Sequence, residues 1–338
     1  MPEGRIIDVH AHVTPQRFQQ VVLAGEDWHG MTVADGELDN LPNRWLPQRR
    51  IEEMDSIGVD VQVVSPTDVF YQYHQAPETT ARIARECNEE IAEMVRDHPD
   101  RFIGLGTLPM QDVERAKTEM THAIRELGLG GFMIDDQVNG ITYDHEVFDE
   151  LWAGLEELGA FILVHQFHPT VVYYRIKDYF LFNSVGNLVD RTLAFGALVY
   201  GGVMDSYPGL KICLAHAGGY VPYALDRIDQ GWEVWPDSRG RSKDRPSSYV
   251  DRFYYDTVTF TDRNLRFMLD VLGSDRVVFG TDWPAPMQVY GAVERLGSTE
   301  VLEDSERDDL LWRTAARIFA TGEADAASVA KEAGSGQA

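Results

Sequence analysis

Residues Phe161–His165 read FILVH: four apolar residues in unbroken succession, closed by a histidine. A run this short with no polar alternation suits a strand buried on both faces, as in a parallel sheet covered by helices. The same design recurs along the chain. Comparable runs stand at Ile6–Val9, Val59–Ser65, Phe102–Leu108, Gly131–Ile134, Lys211–Ala215, Phe253–Thr257 and Val277–Gly280. Between them lie segments with apolar residues at three-to-four spacing, such as Ile83, Cys87, Ile91 and Met94 within Ala81–Asp97. Val113–Leu127, Glu146–Leu158, Asn187–Tyr207, Asp262–Leu272 and Asp304–Phe319 repeat that period. Gly58, Pro99, Gly128, Gly159, Pro208 and Gly273 punctuate the ends. Eight strand–helix units in series predict an α/β fold, a closed (β/α)₈ TIM-like barrel over residues 1–322; an open doubly wound sheet is the alternative.

Three stretches exceed what such a barrel needs, at about 15–47, 168–182 and 232–249. Each follows or lies near a strand end, where barrel enzymes build their sites. Residues 323–338 are small and polar and read as a flexible tail.

Composition narrows the function. Hydrophobic residues are 44% of the 338, enough for a large core, and the formal charge is −25. A surface so acidic repels phosphate backbones and anionic lipid, so neither nucleic acid nor membrane is expected as a partner. A small anionic substrate would need a local cationic centre. Cys87 and Cys213 lie in separate apolar stretches and read as buried thiols in a reducing compartment. The start, MPEGRIIDVH, has no basic region followed by an apolar run. The expectation is a cytoplasmic protein.

The chain has ten histidines, and four of them end strands. His10 and His12 form H-A-H on the first strand, where residues two apart point to the same side. His165 ends the fifth run, His216 the sixth, and Asp282 follows the eighth in VVFGTD. In a barrel these ends meet on one face. Three or four imidazoles with a carboxylate suit zinc, manganese or iron. His29, His74, His98, His122 and His145 read as surface residues, and His168 as a possible lining residue. Asp8, one step deeper than His10, and Asp256, near the end of the seventh strand, are candidates for supporting roles.

IIDVHAHVTP, FILVHQF, LAHAGGYVPYALDRI and VVFGTDWPAP together resemble the amidohydrolase-related family, in particular its carboxymuconate-semialdehyde decarboxylase branch. RIEEMDSIGVDVQVVS and RFIGLGTLPMQD fit the same pattern, so the likeness runs from about Arg5 to Phe319. The resemblance implies a distorted metal-dependent barrel holding one divalent ion, most often Zn²⁺, with Mn²⁺ the other candidate. It implies His10, His12, His165 and Asp282 as ligands, His216 as acid/base with Asp282 as a second proton carrier, and a homodimer. It also implies that Arg227, after A-H-x-G-G, reaches the neighbouring subunit's site. Phe167, Tyr173 and Trp283 are expected to flank a planar carboxylate substrate. The expected reaction is non-oxidative decarboxylation of an unsaturated or aromatic acid. The second reading is hydrolysis of a C–C, lactone, ester or amide bond, and a third is a non-catalytic binding barrel.

The chain departs from that branch at positions that read substrate. Gln166-Phe167 follows His165 where the branch has proline and tryptophan, and Ala285 replaces an aromatic. No arginine in Asp35–Pro42 matches the branch's carboxylate-binding one, and Arg44 stands out of place.

Overall fold

The computed structural model describes residues 4–167 and 170–320. His168 and the tail at 323–338 therefore lie outside the described residues. Eight parallel strands are paired in strict chain order. They are β1 (Ile7–Val13), β2 (Val61–Pro66), β3 (Phe102–Gly106), β4 (Gly131–Ile134), β5 (Phe161–Val164), β6 (Lys211–Leu214), β7 (Phe253–Asp256) and β8 (Val277–Val278). The ring closes between its ends through single bonds rather than a regular ladder. Val9 donates its N–H to Phe279 O at 2.7 Å, Asp282 to His10 O at 2.9 Å, and His12 to Trp283 O at 2.7 Å. The fold is a barrel, and the open-sheet alternative is set aside.

The apolar runs explain why the strands stay together. Every residue of β2, β4 and β5 is buried, and their side chains join one core with the covering helices. Sequence periodicity locates most helices closely: Asp262–Leu272 is matched residue for residue, and the helix expected over Ala81–Asp97 begins one turn earlier at Pro77. Proline at the first helical position needs no N–H partner there.

The expected helix Asn187–Tyr207 is divided. It runs over Leu188–Tyr200, breaks at Gly201–Gly202, where Gly202 has φ 73°, and resumes at Val203–Ser206. A wider π-helical turn at Phe182–Asn187 precedes it. The supposed loops also hold helix. Gln16–Leu23 lies within the first, and Val221–Val234 runs into the third. Pro47–Ile57 is a further helix that the periodicity did not single out; it ends on Gly58 in the left-handed region at φ 77°.

Two glycines separate tight packing from free space. A Cβ on Gly131, at the start of β4, would overlap the carbonyl oxygen of Phe161 on β5. A Cβ on Gly196, inside Leu188–Tyr200, meets nothing nearer than 4.0 Å. Gly131→Ala is expected to destabilise the barrel by ~3 kcal/mol or more, since the β4–β5 ladder must shift. Gly196→Ala is expected to stabilise it by about 0.5–1 kcal/mol through helix propensity. Thermal unfolding of both variants reads the opposite signs.

Candidate active site

His10, His12, His165 and Asp282 are all buried, and one ligand atom from each lies within 4.8 Å of the others. His10 Nε2 and His12 Nε2 stand 3.1 Å apart, and they lie 3.3 and 3.1 Å from Asp282 Oδ1. His165 Nε2 is 3.8 Å from the same oxygen. Donors sharing one zinc-like ion at ~2.0–2.1 Å in tetrahedral array would be roughly 3.3 Å apart. The residues present therefore fit one divalent ion in donor type, number and spacing.

Local structure sets these positions. The β1–β2 register slips between Asp8 and Ala11, a bulge that falls at His10 and re-aims the side chains beside it. Asp282 sits in the left-handed region at φ 63°, and its N–H is held by His10 O. A Cβ on Gly280 would come within 2.9 Å of His10 Cβ and 3.0 Å of Asp256 Cβ, so glycine is what lets these two side chains meet.

Further residues fix the rings. His10 Nδ1–H donates to Asp256 Oδ2 at 2.7 Å, which leaves Nε2 as the free lone pair. His12 Nδ1–H donates to Ser65 Oγ at 3.1 Å, with the same result. The Tyr71 hydroxyl donates to His165 O at 2.9 Å. His165 Nδ1 has no partner among the described residues.

Asp256 does more than orient His10. Its carboxylate also accepts the N–H groups of His216 at 2.9 Å, Ala217 at 2.8 Å and Val258 at 3.0 Å. His216 and Ala217 both have φ 55°, a left-handed conformation that costs about 1–3 kcal/mol at a non-glycine residue. Two charge-assisted bonds to the turn, from His216 and Ala217, are enough to hold it. His216 Nε2 then faces Asp282 Oδ2 at 3.6 Å, and His216 Nδ1 is unpartnered among the described residues.

Electrostatics agree with a site made for positive charge. Burial opposes ionisation of Asp282, but the neighbouring His10, with bonds from His10, His12 and His165, holds its carboxyl well below the ordinary range. Burial opposes charging His10, yet Asp282 and Asp256 outweigh it and raise the imidazole to about 10. Burial pushes His12 and His165 down, toward the neutral form that binds metal.

Beneath the site lies another polar layer. Asp8 accepts from Thr281 N–H and Oγ1 at 3.0 and 2.7 Å, and from Gln62 Nε2 at 3.0 Å. Arg50 donates to Gln62 Oε1 and to His12 O, and its guanidinium lies 4.1 Å over the Trp283 ring. Burial lowers Arg50 to about 9. The expected supporting role of Asp8 is the role it occupies. Asp256, the weaker candidate in sequence, is the more connected of the two.

A cavity of about 1000 Å³ opens in front of His12, His165, His216 and Asp282. Phe167 lines it, but Trp283 does not: that ring is 5% exposed, packed between Arg50 and Trp45. The residue after Asp282 thus packs into the wall rather than onto the cavity surface. Tyr173 is also absent from the lining; Lys177 lies 4.9 Å over its ring. Arg227 is exposed on the helix Val221–Val234 and does not line its own chain's cavity. Among the expected surface histidines, His29, His98 and His122 are only partly exposed; His29 meets Glu86 at 2.8 Å and His122 meets Glu126 at 2.9 Å.

Residues 7–321 match the family described as Amidohydrolase. A 2-amino-3-carboxymuconate-6-semialdehyde decarboxylase of Dictyostelium discoideum is 31% identical over 321 residues, 90% of this chain and 89% of that protein. The 5-carboxyvanillate decarboxylase of Sphingomonas paucimobilis superposes with a TM-score of 0.81 at 26% identity, covering 94% of this chain and 99% of that one. A dihydroxybenzoic acid decarboxylase of Polaromonas sp. JS666, solved with bound manganese, gives 0.80 at 24% identity over 94% and 97%.

Replacing Asp256 by Asn, or Gly280 by Ala, is expected to lower divalent-metal affinity roughly 10–100-fold, by releasing or displacing His10. Competition titration against a chromogenic chelator, with circular dichroism to show retained fold, measures it. Unchanged affinity in both variants would remove Asp256 from this role.

Proposed function

The chain belongs to the amidohydrolase family, and from that premise we propose that it is a metal-dependent, non-oxidative decarboxylase of a small aromatic or unsaturated carboxylic acid. The observation that carries this reading is the convergence of His12, His165, Asp282 and His216 on one cavity, with His10 completing the ligand cluster behind them. The decarboxylase relatives support it. The donor set suits Zn²⁺ or Mn²⁺, and the manganese in the Polaromonas enzyme favours keeping both.

The reaction replaces a carboxylate by a hydrogen, consuming one proton and releasing CO₂. His10, His12, His165 and Asp282 would hold a divalent ion, which would supply positive charge for the substrate carboxylate or an oxygen beside it. That charge is needed, because no lysine or arginine lines the cavity among the described residues of a chain with formal charge −25. His216 holds a proton at Nε2, facing the cavity and Asp282, and delivers it to the carbon that bears the carboxylate. The bond to the carboxylate then breaks, and its electron pair restores the conjugated system. Phe167, Phe182, Leu188, Val258 and Met268 give the cavity apolar walls. Such walls favour conversion of an anion to neutral CO₂.

Arg227, exposed and without a hydrogen bond or ion pair among the described residues, is placed in this reading at the cavity of a second copy in a homodimer. There its guanidinium would grip a carboxylate bidentately.

Screening ortho-hydroxy aromatic acids and muconate-type acids for CO₂ tests the assignment. With the substrate so found, metal removal and His216→Ala should each lower CO₂ release by about 10²–10⁴-fold. CO₂ release that survives both sinks the mechanism, and ¹⁸O uptake from water into product without CO₂ replaces it by hydrolysis. Mixing Arg227→Ala with His216→Ala subunits should restore activity, since a mixed dimer has one intact site. No recovery after subunit exchange argues against a shared site.

A further inference from the structure

One wall of the cavity is built from acceptors. It comprises Glu37 and Asn43 of the loop after Gln16–Leu23, and Thr67 and Asp68, which directly follow β2. Glu37 is exposed at the rim and Asp68 is half-buried. Burial, with the charges of Glu37 and Asp282 beside it, raises the Asp68 carboxyl to about 7, and Asp68 lines the same cavity as the metal ligands His12, His165 and Asp282.

Asn43 is 5% exposed, and its Oδ1 has no partner among the described residues. Its orientation is fixed, because Nδ2 donates to Glu37 O at 3.3 Å, and turning the amide over would set oxygen against oxygen. Asn187 Oδ1, also in the lining, is a second buried acceptor without a donor among the described residues. A buried acceptor left unpaired costs about 1–3 kcal/mol, so a ligand bringing donors gains there. An anionic group would meet the Glu37 carboxylate, the Asp68 carboxyl and, among the described residues, no lysine or arginine.

We propose that this wall is a specificity subsite for a hydrogen-bond donor, a protonated amine above all, on the part of the substrate away from the reacting carboxylate. The proposal rests on the reading of the cavity as the site of an aromatic or unsaturated acid. It names that acid's further chemistry: one carboxylate for the ion and a donor for Asp68, Glu37 and Asn43. A second carboxylate at this wall is excluded. The cavity's size leaves room for such a substituent on a single ring.

The test uses the metal-loaded full chain and salicylates bearing an aminomethyl, hydroxymethyl, ethyl or carboxymethyl group, placed at C4 and separately at C5. Calorimetry gives the dissociation constants, and CO₂ is followed on the same samples. At one of the ring positions, the aminomethyl acid should bind about tenfold or more tighter than its ethyl isostere, and the carboxymethyl acid about tenfold weaker. The pair Glu37→Gln with Asp68→Asn should level these differences and leave the ethyl acid's constant within about twofold, as expected if only the charged and hydrogen-bonded contacts change. No advantage for either donor-bearing acid, or no binding by them, overturns the subsite, as does a preference that persists in the double variant. Donor preference without CO₂ keeps the subsite and rejects decarboxylation; CO₂ without donor preference does the reverse.

Discussion

The carboxylate of Asp256 is the constraint on which the site depends. It stands fully buried at the end of β7 and accepts four hydrogen bonds: one from the His10 ring and three from backbone N–H groups of the turn bearing His216 and of Val258. Burial opposes its charge, but His10 and these donors hold its pKa below the ordinary value. One side chain thereby orients a metal ligand and pins the strained turn that presents the proposed acid/base. Neither function can be lost without disturbing the other, because Oδ2 holds both the His10 ring and the His216 N–H.

Close approach makes this possible. Gly280 lets β1 and the segment after β8 come together, and the irregular closure of the ring lies at the same place. The backbone of Asp282 is bonded to His10, and that of His12 to Trp283. Barrel closure and assembly of the ligands are thus one event. Arg50 and Trp283 reinforce it from below, the guanidinium reaching His12 O while stacking on the ring that follows Asp282. Trp283, a substrate-contact candidate in the sequence, supports the site through this stacking.

Charge explains the division of labour in the proposed chemistry. The chain carries 55 acidic against 30 basic residues, and the cavity lining adds no lysine or arginine among the described residues. Attraction of an anion falls to the ion, and to a second subunit in the proposed dimer. The proposed acceptor wall draws on Glu37, within the Asp35–Pro42 stretch that lacks an arginine. That contrast is why a shared metal site does not require a shared substrate.

The sequence by itself determined the barrel and its chemistry. Eight apolar runs placed the strands to within a few residues, and H-A-H, FILVH and VVFGTD named the four residues that cluster. This was legible because burial on both faces leaves a continuous apolar signature, and strand ends in a closed parallel barrel must share one face. Tertiary structure alone decided the rest. The bulge at His10, the left-handed backbone at Asp282 and His216, the inward turn of Trp283 and the presence of Asn43 and Asp68 in one cavity lining leave no periodic trace. They arise from bonds between residues far apart in the chain, such as Asp256 with His10, separated by 246 positions. A local pattern cannot encode a partner so distant; only closure of the barrel brings the two together.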